Sequence, residues 1–162
     1  RQWPVEDVSE AMGALAEAGP VTVQILGGAV VAQRAERLAQ LLRQRGIAAF
    51  DLAGGLTLSE SAAAIARSDL FLGNDSGLQH IASAIDLPIV VVTCHPASGS
   101  PWSDNAPERF GPWSARNVVL QPATPSPDCT EECVAGKPHC IRQVRAADAV
   151  AAITGLLQGA AS

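Results

Sequence analysis

The sequence has no cluster of lysine and arginine, and its formal net charge is −5 over 162 residues. Binding to nucleic acid depends mainly on neutralising phosphates with basic side chains, so this composition argues against a nucleic-acid partner. No uninterrupted apolar run approaches the roughly 20 residues that a membrane-spanning helix needs. The chain also opens with charge and tryptophan instead of a signal-peptide pattern. We therefore expect a soluble, cytoplasmic protein.

Several familiar site motifs are missing as well. The sequence contains no Walker loop and no Gly-x-Gly-x-x-Gly pattern, and internal repeats and low-complexity tracts are absent. Ser76, His80 and Asp75 have the residue types of a nucleophilic triad, but they are crowded into one turn and lack a nucleophile-elbow pattern. Acyl transfer is therefore not the expected chemistry.

Apolar periodicity predicts an α/β fold in a single domain, because 162 residues with 48% hydrophobic content can bury one substantial core. Thr57 and Glu60 have the spacing of a capping box. Strands that alternate with helices imply a Rossmann-like, doubly wound parallel sheet with helices on both faces. The predicted helices cover residues 4–18, 31–45, 58–67, 78–85 and 146–157. The predicted strands cover residues 21–26, 47–52, 70–72, 89–92 and 118–120. Two long loops are predicted at residues 94–116 and 122–140.

Polar residues concentrate at one point, the turn at 73–77 between a predicted strand and a predicted helix. The first amides of a helix lack intrahelical partners and lie at the positive end of its dipole, so Ser76 and Gly77 would let an anion approach closely. Phosphate is the anion we expect. We predict that Asp75 caps the helix and that His80 leans back toward its N-terminus. The alternative is that these two side chains serve only the helix itself.

The string from Asn74 to His80, Asn-Asp-Ser-Gly-Leu-Gln-His, resembles the nucleotide-sugar site of glycosyltransferase family 9, the lipopolysaccharide heptosyltransferases. The second lobe of that family carries an Asp-Ser/Thr-Gly-Leu-x-His signature at a strand-to-helix turn. Residues 1–4, Arg-Gln-Trp-Pro, resemble the basic-x-Trp-Pro segment that opens the first helix of the same lobe, and residues 26–28, Leu-Gly-Gly, resemble its glycine turn. The resemblance covers most of the chain. It implies the C-terminal, donor-binding lobe of a two-lobed glycosyltransferase B architecture.

This resemblance implies an inverting transferase that moves a sugar, heptose from ADP-heptose, to a lipopolysaccharide or related glycan acceptor without a cofactor. The catalytic base would lie on an N-terminal lobe that residues 1–162 do not contain, so we expect this single nucleotide-sugar-binding lobe to be a fragment that is inactive alone. Peripheral association with the inner membrane is a further expectation. The residues expected to bind substrate are Arg1, Gly27, Gly28, Leu56, Asn74, Asp75, Ser76, Gly77 and His80.

One departure from the family pattern leaves the donor open. The family often places an acidic residue just after the glycine turn, where it reaches ribose hydroxyls, whereas residues 29–33 here are Ala-Val-Val-Ala-Gln. Gln33 can substitute by hydrogen bonding, but guanosine and uridine donors remain alternatives. Two other classes also stay open: a non-catalytic nucleotide-binding module and an interaction module that a metal stabilises.

The cysteines and the loop aromatics have several interpretations. We expect no metal site, and its candidate ligands are Cys129, Cys133, His139 and Cys140. A disulfide and unpaired thiols are the other possibilities. In the loop 94–116 we predict that Trp102 and Trp113 cover the edge of the sheet, with stacking on a sugar or base as the alternative. His95 is predicted to be exposed to solvent, with contact to a ligand at the crevice side of the sheet as the alternative.

Overall fold

The computed structural model describes residues 2–114, 116–125 and 139–159. The chain forms two compact units. The N-unit comprises Pro4–Arg67, and the C-unit combines Arg1–Trp3 with Ser68–Ser162. None of the helices within the described ranges combines the length and apolar character that crossing a bilayer requires.

The N-unit is a parallel β-strand pair with three helices. Strands β1 and β2 run parallel, and Thr22 lies opposite Ala48 in their register. Each predicted element is present within one or two residues of its expected ends, except that the second helix is preceded by a 3₁₀ turn at Ala29–Val31. The elements are α1 Val5–Ala18, β1 Thr22–Ile25, α2 Ala32–Gln44, β2 Ala48–Asp51 and α3 Leu58–Ala66.

The C-unit contains a three-stranded parallel sheet in the order β3-β4-β5. The central strand is buried along its whole length, as its continuous Ile-Val-Val-Val run predicts for a strand covered on both faces. Its elements are β3 Phe71–Asn74, α4 Gly77–Ala84, β4 Ile89–Val92, α5 Pro107–Phe110, β5 Asn117–Leu120 and α6 Ala146–Gly159, with a 3₁₀ turn at Cys140–Gln143 before α6. Parallel strands alternating with helices confirm the predicted α/β fold class.

Trp3 is part of the C-unit and lies beside the carboxyl end of β3. Its buried indole donates from Nε1 to the carbonyl oxygen of Val144 at 2.9 Å, and its backbone N–H donates to Asn74 Oδ1 at 3.3 Å. Because both partners belong to the C-unit, these bonds hold the segment that precedes α1 against the β3–α4 turn.

Helix α4 buries one apolar residue, Ala82, together with two polar ones. The buried positions are Gln79, Ala82 and Ser83, whereas Ile85 is 45% exposed. The last residue of α5 and the segment after it cover this face through polar hydrogen bonds to Gln79 and Ser83. The four residues of α5 lie within the predicted loop 94–116, with Pro107 at the start of the helix, where proline is favoured.

Candidate functional site

The turn between β3 and α4 is open where the helix begins. Ser76 occupies the N-cap position in an extended conformation, with φ −159° and ψ 165°, and within the described chain its side chain makes no capping hydrogen bond to α4. Asp75, Ser76 and Gly77 are all exposed. A Cβ atom placed on Gly77 would meet no described atom of another segment within 4 Å. Uncapped amides in open space at the positive end of a helix can bind an anion.

Asp75 was predicted to cap α4, and this prediction is wrong. Asp75 lies one residue before the N-cap, and its Oδ1 accepts a hydrogen bond from Gln79 Nε2 at 2.8 Å. The same Nε2 donates to the carbonyl oxygen of Phe110 at 2.9 Å. The Asp75 carboxylate is therefore bonded to a side chain of the first turn of α4 and does not cap the helix.

Asn74 ends β3, and its side chain is used within the C-unit. Its Nδ2 donates to the carbonyl oxygen of Val92 at 2.8 Å, which ties the end of β3 to the end of β4. Its Oδ1 accepts from the backbone of Trp3. Asn74 thus fixes the turn and the segment before α1, and a contact of its side chain with a ligand stays a prediction.

His80 lies one turn into α4, half-buried, beside an exposed aromatic ring. The centroids of the His80 and Trp113 rings are 5.8 Å apart and the ring planes are tilted by 47°. The Nδ1 atom of His80 is buried and has no hydrogen-bond partner among residues 2–114, 116–125 and 139–159. Trp113 is 80% exposed and Trp102 is 81% exposed, so the prediction that they cover the edge of the sheet is wrong.

The segment that carries Trp113 is anchored to α4 by polar contacts. The backbone N–H of Trp113 donates to Ser83 Oγ at 3.2 Å, and the hydroxyl of Ser114 donates to Asp86 Oδ1 at 2.8 Å. Gln79 and Ser83 are four residues apart and share one helix face, which is why both can reach the covering segment. Sequence reasoning overlooked Gln79, and the signal that would have found it is an amide side chain four residues after Asp75.

The predicted site residues of the N-unit lie at the carboxyl ends of its two strands. Gly54 donates its backbone N–H to the carbonyl oxygen of Gly27 at 2.8 Å, so the glycine turns after β1 and β2 are in contact. A Cβ atom on Gly27 would collide with Val31 Cγ2, whereas one on Gly28 would meet no described atom within 4 Å. Leu56 follows the second turn and is half-buried.

Two further predictions about the site stay predictions. Gly27, Gly28 and Leu56 belong to the N-unit, and residues 74–80 belong to the C-unit, so each set is positioned within its own unit. The single crevice expected to join them remains a prediction. Arg1, the expected phosphate-binding cation, lies outside the described residues.

His95 was predicted to be exposed, and this prediction is wrong because it is only 5% exposed. A Cβ atom on Gly99 would lie 2.7 Å from the imidazole, so the absence of a side chain there gives the ring room. Thr93 Oγ1 accepts from the backbone of His95, and Gln121 Nε2 donates to its carbonyl oxygen at 3.2 Å. These contacts give His95 a structural role beside β4.

The cysteine segment is described only at its end, since Cys129 and Cys133 lie outside the described residues. His139 is half-buried and Cys140 is buried. The Nδ1 atom of His139 accepts from the backbone N–H of Cys140 at 2.7 Å and lies 3.0 Å from its Sγ atom. In the part of the chain that the structure covers, no three His, Cys, Asp or Glu side chains are grouped so as to hold a metal ion.

Comparison with known proteins identifies a family. The model of glycosyltransferase family 9 (heptosyltransferase) matches residues 1–139. Comparison with curated protein sequences found no match.

Three solved structures share the fold at 21% sequence identity. The ADP-heptose LPS heptosyltransferase II of E. coli aligns with a TM-score of 0.73, over 99% of this chain and 43% of that one. The family 9 glycosyl transferase from Veillonella parvula aligns with a TM-score of 0.72, over 97% of this chain and 42% of that one. The E. coli heptosyltransferase WaaC with ADP aligns with a TM-score of 0.65, over 95% of this chain and 39% of that one. The chain therefore spans less than half the length of each of these proteins.

Proposed function

Because this chain belongs to glycosyltransferase family 9, we propose that it is the donor-binding lobe of an inverting glycosyltransferase. The enzyme transfers a sugar from a nucleoside diphosphate to a hydroxyl group of a lipopolysaccharide or related glycan. The observation that carries the proposal is the open N-terminus of α4, with the Asp75 carboxylate and the His80 imidazole beside it.

The proposed donor is ADP-heptose. Two of the similar structures support this choice by their names, an ADP-heptose LPS heptosyltransferase and a heptosyltransferase with ADP. The similarity to them lies in the fold. GDP and UDP donors are the alternatives that the experiment below separates.

The chemistry required of such a lobe is stabilisation of negative charge, because the leaving nucleoside diphosphate gains charge as the glycosidic bond breaks. In a chain with a net charge of −5, positive potential has to be local. The main-chain amides near Ser76 and Gly77 and the dipole of α4 supply it, and His80 donates a hydrogen bond. Arg1, two residues before the anchored Trp3, adds a full positive charge.

The remaining residues orient the donor. Asp75 accepts hydrogen bonds from sugar or ribose hydroxyls, and the open space at Gly28 lets the nucleotide approach the backbone. Leu56 lies against the base. Trp113 presents an exposed aromatic face beside His80, and such a face suits the C–H groups of a sugar ring.

The acceptor and the catalytic base belong to the rest of the enzyme in this proposal. The base lies on an N-terminal lobe, so this lobe alone binds donor weakly and does not turn it over. A glycolipid acceptor would bring the complete enzyme to the cytoplasmic face of the inner membrane.

Two measurements on the complete enzyme test the proposal: calorimetry with ADP, GDP and UDP, and an assay of sugar transfer from ADP-heptose. We expect selective binding of one nucleoside diphosphate, ADP, and transfer of heptose from ADP-heptose. Binding without transfer would favour a non-catalytic nucleotide-binding module. If none of the three nucleotides binds, the proposal is contradicted.

A further inference from the structure

We infer that Gln79 is a positioning residue of the donor site, which holds the Asp75 carboxylate out of a capping bond to α4 and so leaves the first amides of that helix to the diphosphate. The inference rests on the proposed function, because it assigns a role to Gln79 only through a ligand at this turn. The residue at this position is the unspecified one in the Asp-Ser/Thr-Gly-Leu-x-His signature.

The geometry fixes the Gln79 amide from two sides. The side chain is completely buried, at 0% exposure, and its Nε2 donates both to Asp75 Oδ1 at 2.8 Å and to the Phe110 carbonyl oxygen at 2.9 Å. One acceptor precedes α4 and the other is the last residue of α5. Both N–H groups are therefore used, and the amide cannot rotate without losing two hydrogen bonds.

Stability alone does not account for a glutamine here. Its Oε1 atom is buried without a hydrogen-bond partner among the described residues, and an unpartnered buried acceptor costs about 1–3 kcal/mol. A leucine or methionine would fill the same space without that cost. What an apolar side chain cannot do is hold the Asp75 carboxylate and the Phe110 carbonyl oxygen together, and the bond to Asp75 is the one that reaches the donor site.

The position of Asp75 matters because carboxylates and diphosphates compete for the same groups. An aspartate just before a helix readily accepts from its first amides, and negative charge there is stabilised by the dipole. If Asp75 were released, its carboxylate would turn toward those amides and repel the donor phosphates. Held by Gln79 through Oδ1, it keeps Oδ2 for a ligand hydroxyl.

A double-mutant cycle tests this role on the intact protein, with ADP affinity as the measurement. We expect Gln79→Leu to weaken ADP binding about tenfold, as the loss of a hydrogen bond to a charged group predicts. In the Asp75→Ala background the same change should alter affinity less than about twofold, because the two residues act as one unit. Gln79→Met serves as a second variant if Gln79→Leu does not fold.

The control is Gln121→Leu, which removes another amide donor to a main-chain carbonyl, that of His95, without touching Asp75. It should leave ADP affinity unchanged. An equal loss from Gln79→Leu with and without Asp75 would mean that Gln79 acts only by holding Phe110, and would overturn the inference. Failure of the unaltered protein to bind ADP, GDP or UDP would instead contradict the proposed function.

A second readout does not depend on any ligand. If Gln79 restrains Asp75, the amide protons of Gly77 and Leu78 should shift downfield in the NMR spectrum of Gln79→Leu, as the freed carboxylate caps the helix. These shifts should be absent when Asp75→Ala is added. Unchanged amide resonances in the Gln79→Leu single variant would also overturn the inference.

Discussion

Helices α3 and α4 both follow a parallel strand, and both are preceded by polar residues, yet they begin in opposite ways. At α3 the Thr57 hydroxyl accepts from the backbone N–H of Glu60 at 3.3 Å, and the Glu60 carboxylate accepts from the backbone N–H of Thr57 at 2.8 Å. At α4 the described structure shows no side-chain cap at Ser76, and Asp75 is bonded to Gln79 instead.

The difference teaches that polar residues before a helix have two separate uses. A reciprocal capping box satisfies the orphan amides from within the chain, which stabilises the fold and leaves little for a ligand. An uncapped helix forgoes that stabilisation and keeps its amides for an anion. The comparison therefore predicts that changes at α4 alter ligand binding, whereas changes at α3 alter stability.

The largest effect is expected at Asp75. We predict that Asp75→Ala weakens ADP-heptose binding at least about a hundredfold, because ligand hydroxyls lose a charged acceptor. Titration calorimetry measures this, with Asp69→Ala as a control of equal charge change at another exposed aspartate of the C-unit. Equal affinities for Asp75→Ala and the unaltered protein would remove the contrast between the two helices.

His80→Ala should have the next largest effect, a loss of about tenfold in ADP affinity, since one hydrogen bond to a charged phosphate is removed. His80→Gln retains a donor and should recover part of the loss. If both variants bind ADP as tightly as the unaltered protein, His80 serves only the packing against Trp113.

Trp113 and Trp102 offer a matched pair, because four fifths of each side chain is exposed but His80 packs against Trp113. Trp113→Ala should weaken ADP-heptose binding about fivefold through lost stacking on the sugar and leave ADP binding nearly unchanged. Trp102→Ala should change neither affinity. Equal effects of the two substitutions would show that exposure alone, and not the position beside His80, matters.

The smallest effect concerns α3. Thr57→Ala should lower the free energy of unfolding by about 1 kcal/mol, the usual value of an N-cap, with ADP affinity changed less than about twofold. Denaturant unfolding measures the free energy of unfolding. A large loss of affinity with unchanged stability would reverse the roles that we assign to the two helices.

The pH dependence of the free energy of unfolding of Thr57→Ala also tests whether the capping box of α3 serves stability. Hydrogen bonds from the Thr57 backbone, and then from its hydroxyl, lower the pKa of Glu60. A lowered folded-state pKa stabilises the protein above the ordinary pKa of the group, and this contribution is lost as the pH falls through the folded-state value. Thr57→Ala keeps the backbone hydrogen bond and removes only the one from the hydroxyl. The stability difference between the unaltered protein and Thr57→Ala should therefore shrink slightly at acidic pH, and a difference that grows there would contradict it.

Local signals explain what the sequence predicts correctly. The capping box needs only Thr57 and Glu60 three residues apart, and the buried strand β4 shows itself as a continuous apolar run. The helix and strand limits also follow from short-range periodicity and from breakers such as Pro88. The four-residue helix α5 has too few residues to show any period, so it was not predicted.

Particular side-chain contacts, fixed by loops that fold back onto the sheet and helix, explain what the sequence does not predict. Asp75 has the residue type of an N-cap, but the buried amide of Gln79, fixed in turn by Phe110, offers it a better bond. His95 is buried because Gly99 leaves space for its ring. The spacing of Asp75 and Gln79 is visible in the sequence, but the bond that Phe110 adds depends on how a loop folds back, which composition and spacing do not encode.

The central claim is that the first amides of α4 bind the donor diphosphate, and NMR of the intact protein during an ADP titration tests it most directly. We predict that the amide resonances of Gly77 and Leu78 are among the most strongly shifted on binding, and that Asp75→Ala and His80→Ala raise the ADP concentration needed for the same shift. ADP binding that leaves both amide resonances in place would contradict the account.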